Sequence, residues 1–437
     1  MKNKWLIASV LIVALIGLCV ASLFATWQGI KMVQDSGMHF QGLKPDLVST
    51  KATEEKSLSV GKPVSLSVET YQGNITVQAG KDGQVSVKTE TTAWGNSDAD
   101  AQAALKEIKV IIDQQENTIK ISIQQSIEVD MWHIGPRGGV VNFTITVPAE
   151  TAVTLSSTEG DLSLSGTTGN AKLETTFGSL TITDVTGEII GQSGNGDTTA
   201  KNIGSGEMIT LSTEFGAISV DNAKGSDVTI SSSNGDLDRL NNIKATGLLK
   251  ATSEFGDIHI TNSQTQKAEV RSSNGDIRLE NMDVDGSVTV KSNFGSLTMR
   301  EVNANAYDLN TQNGKISLDG ARNGIKAHSD FGSVEIFDAQ NASIDLSSNN
   351  GDVTFAGSLG SGQNTIESDF GSIKITLPAD SALKVELQTD FGKITSDFSI
   401  VISGEIDSKH WRGTINGGGA TLTVKTDNGN ISLQSSK

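Results

Sequence analysis

A chain of 437 residues that is 36% apolar and carries 46 glycines has room for several ordinary domains or one long repetitive one, and its composition argues against disorder. Its 34 basic and 51 acidic side chains leave a formal net charge of −17. No basic stripe is present to release counterions from a phosphate backbone, so the balance argues against nucleic-acid partners.

The chain opens with Lys2 and Lys4, followed by a run from Trp5 to Trp27 without a charge. At about 1.5 Å per residue this run can cross a bilayer core of about 30 Å. It is longer than the apolar centre of a cleaved signal peptide, and the small-residue site is poor, so an uncleaved anchor at 1–27 is the preferred reading over a signal peptide. Basic residues favour the cytoplasmic side, which places the rest of the chain outside a cell membrane as a single-pass protein. Cys19, the only cysteine, lies in this segment, so the exported part has no disulfide and must rely on packing.

Residues 28–56 read as a polar linker. From 57 to 148, alternating runs such as SLSVET, NITVQA, QVSVKTE and TIKISIQ predict half-buried strands. Between them SDADAQAALKEIKVII has helical spacing behind a Ser97 or Asp98 N-cap. These features predict a β-rich head domain with one helix.

From 149 to 437 a repeat dominates. Glycines recur at Gly160, Gly178, Gly196, Gly216, Gly235, Gly256, Gly275, Gly295, Gly314, Gly332, Gly351, Gly371, Gly392 and Gly429, near-evenly spaced except for the last gap. The positions seven and five before the glycine and two and four after it are mostly aliphatic, and Ser or Thr stands three before it in all fourteen copies. Each unit therefore reads as two short strands hinged at glycine with a looser third edge. The parity slips by one at the hinge, as at a bulge or corner, and the common Asn-Gly pair predicts left-handed backbone there.

One such unit buries too few aliphatic groups to offset the entropy of ordering about 20 residues. Stacking supplies the missing burial, so the fold predicted is an all-β parallel β-solenoid with a C-terminal cap in GGGATLTVKTDNGNISLQSSK, its fourteen layers making a rod of roughly 65 Å at about 4.8 Å each.

The residue before the glycine alternates between Phe (Phe177, Phe215, Phe255, Phe294, Phe331, Phe370) and Asn (Asn195, Asn234, Asn274, Asn313, Asn350). A coil built from two units would segregate the two types on facing sheets. A coil of one unit, about 20 residues long, would alternate them up one corner, with the ring filling space above a hydrogen-bonding turn residue. The shorter coil is preferred, because a wider one leaves its interior unfilled.

The phrases SSNGDI, SEFGDI and SNFGSL, the opening ITVPAETAVTLSSTEGDL with its echo ITLPADSALKVELQTDFGKI, and the closing GTINGGGATLTVKTDNGNISL resemble the bacterial putative adhesin family with a β-strand repeat domain of unknown function. The resemblance covers about 57–437. It implies a membrane-anchored or secreted β-solenoid at the bacterial surface, and it supplies no ligand, activity or catalytic residue.

Little chemistry is legible beside the repeat. His39, His133, His259, His328 and His410 are scattered singly, so no metal site and no cofactor is expected. Asp161, Asp197, Asp236, Asp257, Asp276 and Asp352 follow repeat glycines, and read as turn caps before they read as a calcium ladder. The best enzyme-like column is Asp236 with Asp238, Asp257 with His259, and Asp276 with Arg278, which suits acid/base work on a polysaccharide. Trp94, Trp132 and Trp411 suit packing before sugar binding. Outward positions are too mixed for ice binding. The reading preferred is a non-enzymatic surface rod, adhesin-like or structural, facing a surface glycan or protein ligand; the alternative is a carbohydrate-active β-helix enzyme.

Overall fold

A computed structural model describes residues 47–125, 138–403 and 407–436. The expected anchor at 1–27 and Trp132 lie outside them. Among the described residues no helix is long and apolar enough to cross a membrane.

The repeat folds as a parallel β-solenoid. Strand order begins with β1 (Val48–Ser59), β2 (Val64–Gln72), β3 (Ile75–Ala79), β4 (Gln84–Gly95), α1 (Asp98–Glu107), β5 (Ile108–Gln115), β6 (Thr118–Gln125) and β7 (Gly138–Val147). The repeat proper opens with β8 (Thr151–Glu159), β9 (Leu162–Ser165), β10 (Ala171–Phe177) and β11 (Leu180–Thr183). β10 pairs in parallel with β8 and with the next copy, Ile189–Asn195, while β11 pairs with β9 and with Thr198–Ile203. Successive copies are therefore direct neighbours, which selects the one-unit coil over the two-unit coil.

In-register stacking converts the sequence periodicity into columns. Seven before the glycine run Leu249, Ala268, Val288, Tyr307, Ile325 and Ile344; two after it run Leu237, Ile258, Ile277, Leu297, Ile316 and Val334. All are buried in one continuous interior. A lone layer would leave both open ends of these columns wet, so the layers stand only as a stack.

The two ends depart from the expected domain plan. β1, placed by sequence in the linker, is a strand pairing antiparallel with β4 from Val48↔Gly95 to Ser59↔Gln84. The helix forms, capped by the Ser97 hydroxyl, which accepts from the Asp100 amide at 3.2 Å; it ends at Glu107, and the rest of its expected span, IKVII, runs on as β5. No boundary separates a head at 148 from the rod. β2 pairs in parallel with β8, and β3 with β9, so residues 64–79 are a layer of the solenoid with Gly73 as its corner glycine. β6 and β7 then pair with β2 and β3 from the other side and close the N-terminal end, with β4 folded antiparallel onto β7.

At the far end chain order and stacking order also diverge. Ala420–Thr426 lies between Gln363–Ser368 and Leu383–Thr389, and Ile431–Ser436 between Ile373–Pro378 and Ile394–Ser396. The closing phrase is thus the penultimate layer, inserted between the Gly371 and Gly392 layers, and not the cap expected. The exposed end is the Gly392 layer, its strand Leu383–Thr389 covered by antiparallel His410–Ile415.

Candidate functional site

Each layer turns at three corners, and the first explains the repeat glycine. A Cβ added at Gly275 would stand 2.0 Å from the Gly256 carbonyl oxygen, and one at Gly295 1.9 Å from that of Gly275. The layers meet backbone to backbone here, so only glycine fits. In this column only Gly73 and Gly216 have φ in the positive range. The expectation of left-handed backbone at the glycine is therefore corrected: close approach, not φ, selects it. The left-handed residue comes six or seven positions later, at Asp184, Asn202, Asn222, Asn242, Asn262 and Asn281, with φ between 51° and 62°.

The Ser or Thr three before the glycine ties layer to layer. Ser272, Ser292 and Thr311 are buried, and their hydroxyls donate to the carbonyls of Gly256, Gly275 and Gly295 at 3.0, 3.2 and 2.9 Å. The Ser272 and Ser292 hydroxyls each also accept from the glycine amide of their own layer, at 2.9 Å. A hydroxyl is the smallest group that can do both at a buried corner.

The six aspartates after the glycine do the same for the outer side of the turn. Asp236 Oδ1 accepts from the Asp257 amide at 2.9 Å, Asp257 from Asp276 at 2.8 Å and Asp276 from Ser296 at 2.8 Å. Asp161, Asp197 and Asp352 accept likewise from Ser179, Ala217 and Ser372. Among the described residues no group of three or more His, Cys, Asp or Glu is arranged to hold a metal ion.

The acid/base column does not assemble as a reacting centre. A register shift between Leu237 and Leu240 throws Asp238 and Arg239 out of line. What stacking brings together is His259, Arg278 and Glu280. Arg278 Nε lies 2.7 Å from one Glu280 oxygen, while His259 Nε2 is 3.4 Å from the other without hydrogen-bond geometry. The Arg278 hydrogen bond holds the Glu280 carboxyl below the usual carboxylate range. A carboxylate held ionised in this way is an ion-pair partner, not a proton donor. A second chain joins Ser347 Oγ to His328 Nδ1 at 2.8 Å and His328 Nε2 to Asp330 Oδ1 at 3.1 Å. It lies on a sheet face where the register runs unbroken from Ile325↔Ile344 to Ser329↔Ser348. Backbone amides there serve the ladder and are not free to form an oxyanion hole. Trp94 and Trp411 are half-buried, Trp94 against Gly138 and Trp411 against the core, as packing residues.

Two surface features remain. An open groove of about 1170 Å³ follows the third edge, lined among others by Lys224, Lys244, Asp283, Asn303 and Arg322, with charges of both signs. The second is the Phe and Asn column at the glycine corner. Phe177 registers with Asn195 and Asn195 with Phe215, so the two types alternate up one edge as a one-unit coil requires. The rings fill no internal space, contrary to the role expected for them. Phe177 and Phe215 are 54% exposed, Phe255, Phe294, Phe331 and Phe370 between 61% and 64%, and Phe391 80%. The chain turns between the third and first residue before the glycine, which takes the ring out of the inward set. Asn234, Asn274, Asn313 and Asn350 side-chain amides donate to the carbonyls of Glu214, Glu254, Asn293 and Asp330 one layer below, at 3.2 to 3.3 Å.

The sequence did not single out the asparagine ladder at the second corner. Asn202, Asn222 and Asn242 each donate Nδ2 to the Oδ1 one layer below, at 2.8, 2.8 and 3.1 Å. Its signal was present as Asn or Asp recurring six or seven positions after the glycine.

Comparison with known proteins identifies the repeat. The family model described as Toastrack DUF4097 matches residues 64–283 and 260–434. No curated protein matches the chain. Among solved structures, a putative cell adhesion protein from Clostridium sporogenes is similar at 8% identity over 89% of this chain and 100% of its own, with a TM-score of 0.15. A putative adhesin from Bacteroides fragilis is similar at 18% identity over 75% of this chain and 98% of its own, with a TM-score of 0.17. At such scores the superpositions carry no argument, and the architecture rests on the strand pairing.

Proposed function

Since this chain belongs to the Toastrack DUF4097 family, whose model spans nearly all of its described residues, we propose that it is a non-enzymatic binding rod held at the outer side of a cell membrane by residues 5–27. In this reading it is adhesin-like: the stack is a rigid spacer and its outward columns are the working surface. The observation that carries the reading is the ladder of more than half exposed phenylalanines on an otherwise polar repeat. Large apolar groups exposed in a line mark interaction surfaces, because water alone gives no reason to keep them there. The carboxylates that would serve a polysaccharide-cleaving site are occupied in holding layers together or in ion pairs, which weighs against the carbohydrate-active alternative. The uncharged run from Trp5 to Trp27 supports the anchor.

The test is protease added to intact cells, or to spheroplasts where an outer membrane is present, expressing the full chain with a C-terminal epitope. Loss of the epitope while a cytoplasmic control survives is expected. An epitope protected until the membrane is lysed overturns the placement.

A further inference from the structure

The phenylalanine ladder is periodic in space in a way that the chain order disguises. Along the sequence, Phe370 and Phe391 are consecutive copies and break the alternation. In the stack, the Gly429 layer comes between them. The Asn428 amide donates to the Asp369 carbonyl and the Phe391 amide to the Asp427 carbonyl, so the column reads Phe370, Asn428, Phe391. Alternation is thus kept through a layer that reaches its place out of order. Successive rings stand two layers apart, roughly 9.6 Å at about 4.8 Å per layer, with a notch floored by asparagine between them. The ridge is also acidic. Glu214, Glu254, Asp330, Asp369 and Asp390 each immediately precede a ring, and no repeat has a basic residue there.

A partner for this ridge must be extended, apolar at a matching interval, and cationic. A β-strand repeats its side chains every two residues, about 6.8 Å, and falls out of step at the first rung. Two turns of α-helix advance about 10.8 Å, more than an ångström too far. A polyproline II chain repeats every three residues at about 3.1 Å each, about 9.3 Å, and lags by only about 0.3 Å per rung. Its backbone has no internal hydrogen bonds to lose, and pyrrolidine rings pack on aromatic faces. Arginines interspersed with the prolines would meet both the ring faces and the carboxylates beside them. A second copy of this chain shares the period but would set acid against acid.

We propose that the Phe177-to-Phe391 ridge docks basic, proline-rich segments in the polyproline II conformation, one turn per two layers. The proposal rests on the reading of the outward columns as a binding surface, and specifies its ligand.

The experiment measures anisotropy of a labelled eighteen-residue Arg-Pro-Pro repeat, about 56 Å long, with the full-length protein in detergent. Binding is expected, with at least about a tenfold loss when Phe255, Phe294 and Phe331 are all changed to alanine. A similar loss is expected for an Arg-Gly-Ser repeat of equal charge and length. Because the rings are exposed, circular dichroism of the triple variant should match the wild type. Should it not, Asn274→Trp and Asn313→Trp fill the notches from outside and should weaken binding instead. Equal affinity for the Arg-Gly-Ser repeat reduces the ridge to a charge effect and overturns the proposal. So does an unchanged triple variant with the notch variants also unchanged, or ring-dependent binding of a glucosamine oligomer in place of the peptide. Failure of the peptide with the epitope accessible on cells overturns this ligand alone; a protected epitope overturns the surface placement whatever the peptide does.

Discussion

Changing Gly295 to alanine tests the claim that backbone contact between layers selects the repeat glycine. The new Cβ would lie 1.9 Å from the Gly275 oxygen and 2.4 Å from its carbon, where ordinary contact begins at about 3.4 Å. Both atoms are backbone, so no rotamer change relieves the clash, and the two layers must part locally by an ångström or more. Four hydrogen bonds join them at this corner: Ile277 N to Ser296 O at 2.9 Å, Phe294 N to Ser273 O at 3.1 Å, Ser292 Oγ to Gly275 O at 3.2 Å and Ser296 N to Asp276 Oδ1 at 2.8 Å. An ångström of added separation breaks all four, and at about 1 kcal/mol each the cost is about 4 kcal/mol. Since layers couple only to their neighbours, the loss should be local. Hydrogen exchange should show lost protection on either side of Gly295 and little change near Gly178, together with a lower urea midpoint. Gly324 is the control, because its nearest prospective contact is 3.9 Å away and its φ is not positive. Gly324→Ala should be neutral or stabilising by up to about 1 kcal/mol. If Gly295→Ala unfolds at the wild-type midpoint with unchanged exchange, close approach does not select the glycine.

Three further outcomes follow from the same contacts. Ser292→Ala strands a buried glycine amide and its partner carbonyl and should cost about 1–3 kcal/mol in urea unfolding, while Ser292→Thr, the residue at the equivalent position 311, should cost little. Ending the chain at Asn416 removes the penultimate layer, so limited proteolysis should then digest residues 379–416 while sparing the layers before Gly371; a dispensable terminal cap would leave that segment resistant. Burial raises the ionisation of Tyr307 above its ordinary value. The neutral phenol's contribution is full below about pH 10, the unfolded value, and is lost as pH rises through the higher folded value. In a Tyr71→Phe background, absorbance near 295 nm should show Tyr307 ionising later than free tyrosine or only on unfolding, and an ordinary titration in folded protein would contradict its burial.

The sequence by itself determined the solenoid and its inward columns, because parallel in-register stacking makes every layer obey the same local rule; it favoured the one-unit coil, which the direct pairing of consecutive copies then selected. Gly73 satisfies that rule, with Leu66, Val68 and Thr70 before it and Ile75 and Val77 after it, yet it stands too far from Gly160 to belong to the regular spacing. Only the tertiary structure decided which layers touch. Identical strand edges have no preference for chain neighbours, so β6 and β7 could close over β2 and β3, and the last strands could slip between the Gly371 and Gly392 layers. The side on which the phenylalanines lie was likewise fixed by the turn at the glycine corner, since alternation alone would have carried them inward. The exposed ridge exists because backbone geometry there overrides the period of two.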